Sequence, residues 1–335
     1  MKPRAVAALL ALVGAMVAGS AVAQSDWRTV AVPAYTPAHF AAGQQLQYRA
    51  RAAGFASAAA ALQQALGRAC DGDARERWQA SVLAWARLSA VSIGALNTRR
   101  SARRIDFLPT RPARIREAAA GDRPAEQIGS AAKGFGALEW LLWVAPADSG
   151  YCRYAAHIAG DIVDEARALE AAFALPLAED DETVVAAMSE SINQWLGGVE
   201  LLRMQWIVRP ESEARSRQQP QPSYPRAYAR PDVNVAERLA RWETLRAQAV
   251  ADTAPVPGKE PVPLEPYLRG KGLNVLADRV VAAVGLVDAE LRGAGTDVAR
   301  LSLAARRLGE LKSLVEAEIT PALGIRVGFS DADGD

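Results

Sequence analysis

The chain has 335 residues and a formal net charge of +1, with 39 Lys and Arg against 38 Asp and Glu. This balance lacks the strongly basic surface with which proteins bind nucleic acid, so no nucleic-acid partner is expected. A length above 300 residues favours two packed lobes over a single hydrophobic core.

The first 23 residues have the features of a cleaved secretory signal. Lys2 and Arg4 precede an apolar run at residues 5–17, and a stretch of small residues ends at Ala23. The apolar run is shorter than the roughly 20 residues that span a bilayer, so we expect cleavage after Ala23 and no retained anchor. No cysteine lies at the cleavage site, which argues against a lipid anchor. The sequence therefore predicts an exported, periplasmic protein.

Two cysteines, Cys70 and Cys152, are present in the chain. An exported protein meets an oxidising compartment, in which an even number of cysteines usually pairs. We predict a disulfide between Cys70 and Cys152. The alternative is two free, buried thiols.

Alanine and leucine dominate the composition, and apolar residues recur at spacings of three and four, which predicts an all-α fold. Thr36 or Pro37 begins the first helix, and Asp71 or Asp73 caps the second. The second helix has a core stripe of Trp78, Val82, Trp85, Leu88 or Ser89, and Leu96. The predicted helices span residues 36–67, 71–96, 124–144, 151–173, 181–207, 233–250, 267–291 and 296–319.

The predicted division of the mature chain lies at residues 209–232, which are rich in Pro, Arg and Gln and should not form a helix. An N-terminal helical lobe at residues 24–208 precedes this connector. A C-terminal helical lobe at residues 233–335 follows it and ends in an acidic Asp-x-Asp-Gly-Asp tail. Residues 99–112 are basic and contain prolines, so an irregular connection is expected there.

One carboxylate, Glu139, lies in an apolar helical run that begins with Gly134 and Gly136. Residues three apart share a helix face, and apart from Glu139 that face is apolar. We predict that Glu139 is buried, and a buried carboxylate requires a partner, a proton or a metal ion. A structural partner, such as an arginine or a backbone amide, is the first alternative to a functional one.

These residues resemble the Gly-x-His-x-x-Glu signature of the imelysin family, with Gly134, Gly136 and Glu139 in register and an aromatic-Leu-Leu run following. The tail at residues 323–335 is similar to the Gly-Phe-(Ser/Asn)-x-x-Asp-Gly-Asp ending of many members. Residues 85–87 and 104–109 are similar to the family's Trp-x-x-Arg helix and its later aromatic-Pro segment. Together the matches extend from about Tyr35 to Asp335.

The resemblance implies two helical bundles related by a distant internal duplication, with a site near their interface. A weak internal sequence similarity supports the duplication, because residues 136–139 (Gly-Ala-Leu-Glu) are similar to residues 197–200 (Gly-Gly-Val-Glu). It also implies a metal site or metallopeptidase activity, and a role in iron uptake.

Gly136 stands where the family has its histidine, so the strongest local nitrogen ligand of a zinc or iron site is missing. His39 and His157 are the only histidines, and neither has the spacing of a metal-binding motif. We therefore expect binding of iron, another metal or a small ligand rather than catalysis. An all-oxygen site around Glu139 could still hold a hard cation.

The candidate ligand-binding residues are Gly134, Gly136, Glu139, Glu200, Arg87, Arg104, Asp106 and Arg203, with Glu139 as the metal ligand. One alternative is a divergent metallopeptidase that recruits His39 or His157. Another is a scaffold that binds a periplasmic or membrane partner through residues 209–232.

Overall fold

The computed structural model describes residues 26–121, 127–146, 148–176, 180–209 and 230–328. The regular elements in these ranges are all helical, which confirms the all-α prediction. The α-helices are α1 (Pro37–Leu66), α2 (Gly72–Ser89), α3 (Ala95–Thr98), α4 (Ser101–Ile105), α5 (Pro112–Ala120), α6 (Gly134–Trp143), α7 (Ser149–Ala174), α8 (Asp181–Arg203), α9 (Pro231–Ala249), α10 (Leu264–Gly270), α11 (Asn274–Ala294), α12 (Val298–Leu314) and α13 (Thr320–Ala322).

Short 3-10 helices occur at Trp27–Thr29 and Ser130–Ala132, and π-helical turns at Met204–Val208 and Val315–Ile319 continue α8 and α12. In the part of the chain that the structure describes, no helix is both long enough and apolar enough to cross a membrane. The predicted signal at residues 1–23 and the acidic tail lie outside the described residues.

Side-chain caps fix the starts of the first two helices, as the sequence predicts. The Thr36 hydroxyl accepts the backbone N–H of His39 at 3.2 Å, and His39 Nδ1 accepts the N–H of Thr36 at 3.3 Å. The Asp71 carboxylate accepts the N–H of Ala74 at 3.3 Å. His39 therefore has a local role in capping α1.

Three of the predicted helices differ from the observed ones, each next to a glycine with a positive φ angle. The third helix begins at Gly134, not near residue 124, and Gly134 has a φ of 73°. The predicted helix 267–291 is divided into α10 and α11 at Gly272, which has a φ of 78°. Such angles suit glycine and do not occur within a right-handed helix. Leu96, predicted at the end of the second helix, lies in the separate helix α3 and is buried.

The buried side chains form two hydrophobic clusters. The first contains residues of α1–α7, including Trp78, Trp85 and Trp140, and Val233 of α9. The second contains residues of α8–α12. Thus α8 packs with helices that follow residue 230, although it precedes the predicted connector. Residues 210–229 of that connector lie outside the described residues, and the domain limits and internal duplication stay predictions.

A disulfide joins Cys70 to Cys152, as predicted, with Cα atoms 5.8 Å apart and a sequence separation of 82 residues. It links the turn between α1 and α2 to the first turns of α7. The bond closes a long loop around the first hydrophobic cluster.

Candidate functional site

Helix α6 places Glu139 inside the protein. The side chains of α6 from Phe135 to Leu142 are buried, and Glu139 is only 1% exposed. This confirms the predicted burial of the carboxylate. A helix that is apolar on all sides is stable only inside a core, so the position of Glu139 follows from its neighbours along α6.

The Glu139 carboxylate has a backbone partner at the start of α9. The N–H of Arg230 donates to Glu139 Oε1 at 3.2 Å. Arg230 is the N-cap of α9, where the helix dipole favours a negative charge. The Arg230 guanidinium lies 5.1 Å from the ring centre of Trp143, one turn beyond Glu139. Glu139 therefore connects α6 of the first cluster to the N-terminus of α9.

Thr110 fills the space beside Gly136. A Cβ atom built on Gly136 would overlap Thr110 Oγ1 and would lie 3.0 Å from Leu108 Cδ2. Thr110 is 3% exposed, and its hydroxyl has no hydrogen-bond partner among the described residues. The space next to position 136 is therefore packed, and an imidazole does not fit there without movement of residues 108–110.

Gly134 allows a second close approach. A Cβ atom at this position would overlap the carbonyl oxygen of Ile105, at the end of α4. The two glycines of the motif thus face the end of α4 and the segment that follows it. Their lack of side chains lets this segment pack directly against the first turn of α6.

The described residues around Glu139 do not fit a metal ion. A divalent or ferric ion takes several oxygen or nitrogen ligands. In the described ranges, no group of three or more His, Cys, Asp or Glu side chains could hold one. His157 stacks on Tyr154 at a ring distance of 6.3 Å, and His39 belongs to the α1 cap. Glu139 as a metal ligand stays a prediction.

The other candidate residues have charged partners of their own. Arg104 Nε lies 3.1 Å from Glu165, and Arg87 lies 3.5 Å from Glu243. Arg203 donates to Glu200 at 2.6 Å. The three pairs lie in different parts of the fold, so these candidate residues do not come together at one place.

Asp106 belongs to a buried polar cluster that the sequence does not predict. Its carboxylate accepts the indole N–H of Trp85 at 2.8 Å and lies 3.7 Å from Arg241. Arg241 donates to Glu237 at 2.8 Å, and its guanidinium lies 3.9 Å from the ring centre of Trp206. Glu237 and Arg241 are 2% and 3% exposed. Their i, i+4 spacing was the available sequence signal, but the same spacing is common on solvated helices.

Glu165 on α7 is a second buried carboxylate that sequence reasoning missed. Arg99 donates to it twice at 2.9 Å, and the Ser101 hydroxyl donates at 2.6 Å. Burial alone would raise the pKa of Glu165, but the hydrogen bonds from Arg99 and Ser101 and the charge of Arg104 outweigh it, so the pKa is lowered. Glu165 is thus held as an anion by arginines of α4 and its preceding turn.

Comparison with known proteins adds a family and a fold. Residues 47–222 match the family model of Imelysin (peptidase M75). An imelysin-like protein from Psychrobacter arcticum 273-4 superposes with a TM-score of 0.69 and 21% identity, over 89% of this chain and 100% of that one. A putative iron-regulated protein A precursor from Parabacteroides distasonis ATCC 8503 gives a TM-score of 0.66 and 12% identity, over 85% and 96% of the two chains. No curated protein sequence gives a significant match. At these identities, the two structures show that the fold is shared.

Proposed function

Because the chain belongs to the imelysin family, we propose that it is an exported, non-catalytic binding protein that acts in periplasmic iron uptake. The iron-related part is supported by the P. distasonis structure, which is described as an iron-regulated protein precursor. Export is supported by the signal-like residues 1–23 and by the P. distasonis protein, a precursor, since a precursor carries a removable leader.

The packing of Thr110 against Gly136 supports a role without catalysis. The family signature has a histidine at this position, and a metal-activated water needs such a ligand beside the glutamate. Here the position has no side chain, and its space contains Thr110 and Leu108. The surrounding residues therefore accommodate glycine at position 136, as expected for a protein that does not form the family's metal site.

We assign ligand binding to Glu139 because of its position in the fold. A buried carboxylate lies at the junction of α6 and the N-terminus of α9, beside the first hydrophobic cluster, which includes Val233 of α9. The N–H of Arg230 donates one of the hydrogen bonds that this carboxylate accepts. By its negative charge, the carboxylate suits a ligand with a cationic or hydrogen-bond-donating group. A metal ion would need further donors in addition to the described residues.

A titration with a matched control tests this assignment. The mature protein from Gln24, its Glu139→Gln variant and a Glu170→Gln control are titrated by calorimetry with ferric, ferrous, cupric, zinc and calcium ions and with a desalted periplasmic small-molecule extract. Glutamine retains an oxygen for the Arg230 N–H, so the variant should fold. Glu170 is exposed on α7. Saturable binding that is lost only in Glu139→Gln supports the assignment. Equal binding by all three proteins contradicts it.

A growth experiment tests the biological role. Deletion of the gene should impair growth under iron limitation, and the wild-type protein should restore growth better than Glu139→Gln. Zinc-supplemented protein should leave casein intact. Normal growth of the deletion strain under iron limitation contradicts the role in iron uptake, and casein cleavage contradicts the absence of catalysis.

A further inference from the structure

A cavity of about 420 Å³ lies between the segment that follows α4, the helix α5 and residues 127–132. Its size is within the range of small-molecule pockets, roughly 300 to 1,000 Å³. Its charged lining residues are Arg103, Arg111, Arg114 and Glu117. None of these residues belongs to the predicted site at Glu139.

The described lining of this cavity has an excess of two positive charges. Arg114 Nη1 donates to Glu117 at 2.8 Å, so that pair is internally balanced. The side chains of Arg103 and Arg111 make no hydrogen bond or ion pair with any described residue. Two guanidinium groups at one cavity are therefore available to an anion.

The walls of the cavity are held by contacts behind the arginines. The backbone N–H of Arg111 donates to the carbonyl oxygen of Ala131 at 3.0 Å, which joins the segment after α4 to residues 127–132. The hydroxyl of Tyr154 donates to the carbonyl oxygen of Ala132 at 2.8 Å. Ile115, on α5, is fully buried in the first hydrophobic cluster. A preformed cavity lowers the entropy cost of binding a ligand.

The remaining lining residues indicate the chemical character of the ligand. Phe107, Ile128 and Ala118 give one part of the wall an apolar surface, and Ser130 adds a hydroxyl group. Guanidinium groups bind carboxylates and phosphates through two parallel hydrogen bonds. We propose that this cavity binds a small molecule that carries two or more negative charges on carboxylate or phosphate groups.

This site is separate from Glu139, although both border the segment after α4. Thr110 contacts Gly136, whereas the next residue, Arg111, lines the cavity. A change of Glu139 to Gln should therefore leave anion binding unchanged, and failure of the function proposed for Glu139 would not affect this proposal.

Calorimetry with defined anions tests the site. The mature protein is titrated with succinate, with pyrophosphate and with succinamide, which has the shape of succinate without its charge. The same titrations are run on an Arg103→Gln/Arg111→Gln double variant and on Arg306→Gln, a change at an exposed arginine of α12. Both arginines of the double variant are exposed, so it should unfold at the wild-type temperature. The two single variants repeat the test if it does not.

We expect saturable binding of succinate, pyrophosphate or both, no binding of succinamide, and an affinity at least about tenfold lower in the double variant, as for the loss of charge-assisted hydrogen bonds. Preference for succinate identifies a carboxylate ligand, and preference for pyrophosphate a phosphate ligand. Raising the salt concentration should weaken binding. Absence of binding to both anions, equal binding of succinamide, or an unchanged affinity in the double variant would overturn the proposal.

Discussion

Thr110 Oγ1 occupies the space that a side chain at Gly136 would need. The two residues come from different segments. Their contact explains why glycine, in place of the family's histidine, leaves no cavity at position 136. It also means that residue 136 and residue 110 are energetically coupled, since neighbours that share one space do not act independently.

The Gly136→His variant should destabilise the protein by about 1 to 3 kcal/mol, because the imidazole has to displace Thr110 and Leu108. Adding Thr110→Gly should recover part of this loss by vacating the overlapping position. Urea denaturation of the two single variants and the double variant measures the coupling. Strictly additive free energies of unfolding would contradict a direct contact between residues 110 and 136.

Thr110→Val, which replaces the hydroxyl by a methyl group and keeps the other methyl, gives a second expectation. The Thr110 hydroxyl is buried without a hydrogen-bond partner among the described residues, so its removal costs no hydrogen bond there. We expect a change in the free energy of unfolding within about 0.5 kcal/mol of zero, or a small gain. A loss above about 2 kcal/mol in the same urea experiment would indicate that the hydroxyl is hydrogen-bonded.

Glu165 should make the free energy of unfolding depend on pH in the acidic range. Its pKa in the folded protein is lowered from the ordinary value of 4.5, so its stabilisation is present above that value. The stabilisation is lost as the pH falls through the folded pKa, when the carboxylate becomes protonated. The difference in stability between wild type and Glu165→Gln should therefore be largest near neutral pH and should shrink below about pH 4.5.

Urea denaturation at several pH values measures this difference. Glu170→Gln, an exposed change on the same helix, serves as the control and should track the wild type throughout. A difference between wild type and Glu165→Gln that is constant from pH 7 to pH 3 would refute the linkage.

The disulfide should stabilise the folded protein by restricting the unfolded chain. Cys70 and Cys152 are 82 residues apart, and closing a loop of this size restricts the unfolded ensemble. Replacing both by serine should lower the free energy of unfolding by about 2 to 5 kcal/mol. The wild type in a strong reductant should approach the double variant. Equal stability of the oxidised and reduced proteins would contradict this expectation.

The sequence predicts helix starts well where a side chain caps them. Thr36, Asp71 and Asp180 accept backbone N–H groups of the first turn, and the predicted starts lie within a residue or two of the observed ones. The prediction fails at Gly134 and Gly272, because a positive φ depends on tertiary contacts as well as on the glycine itself. Ile105 imposes the close approach at Gly134 from 29 positions away in the chain.

The burial of Glu139 was also predictable, since it follows from the apolar residues of its own helix. Its partner was not predictable, because the N–H of Arg230 comes from 91 residues further along the chain. The partners Asp106 and Arg241 are also far apart in the chain, by 135 positions, and Glu165 and Arg99 by 66 positions. Charged residues on a helix are usually solvated, so the spacing of such residues does not reveal which of them are buried.

The N-terminal segment offers a final prediction that concerns Arg28 and Glu265. Glu265 is fully buried and accepts hydrogen bonds from Arg28, Arg269 and the N–H of Ala251. Arg28→Ala should cost about 1 kcal/mol, because Arg269 still neutralises the carboxylate. Glu265→Ala should cost about 2 to 3 kcal/mol, since it removes the buried carboxylate shared by Arg28 and Arg269 and leaves Arg269 paired with Asp278 alone, at 2.7 Å. Thermal unfolding of both variants, built on the chain from Gln24, measures the two losses of stability. A larger loss in Arg28→Ala than in Glu265→Ala would contradict Arg269 as the main counter-charge of Glu265.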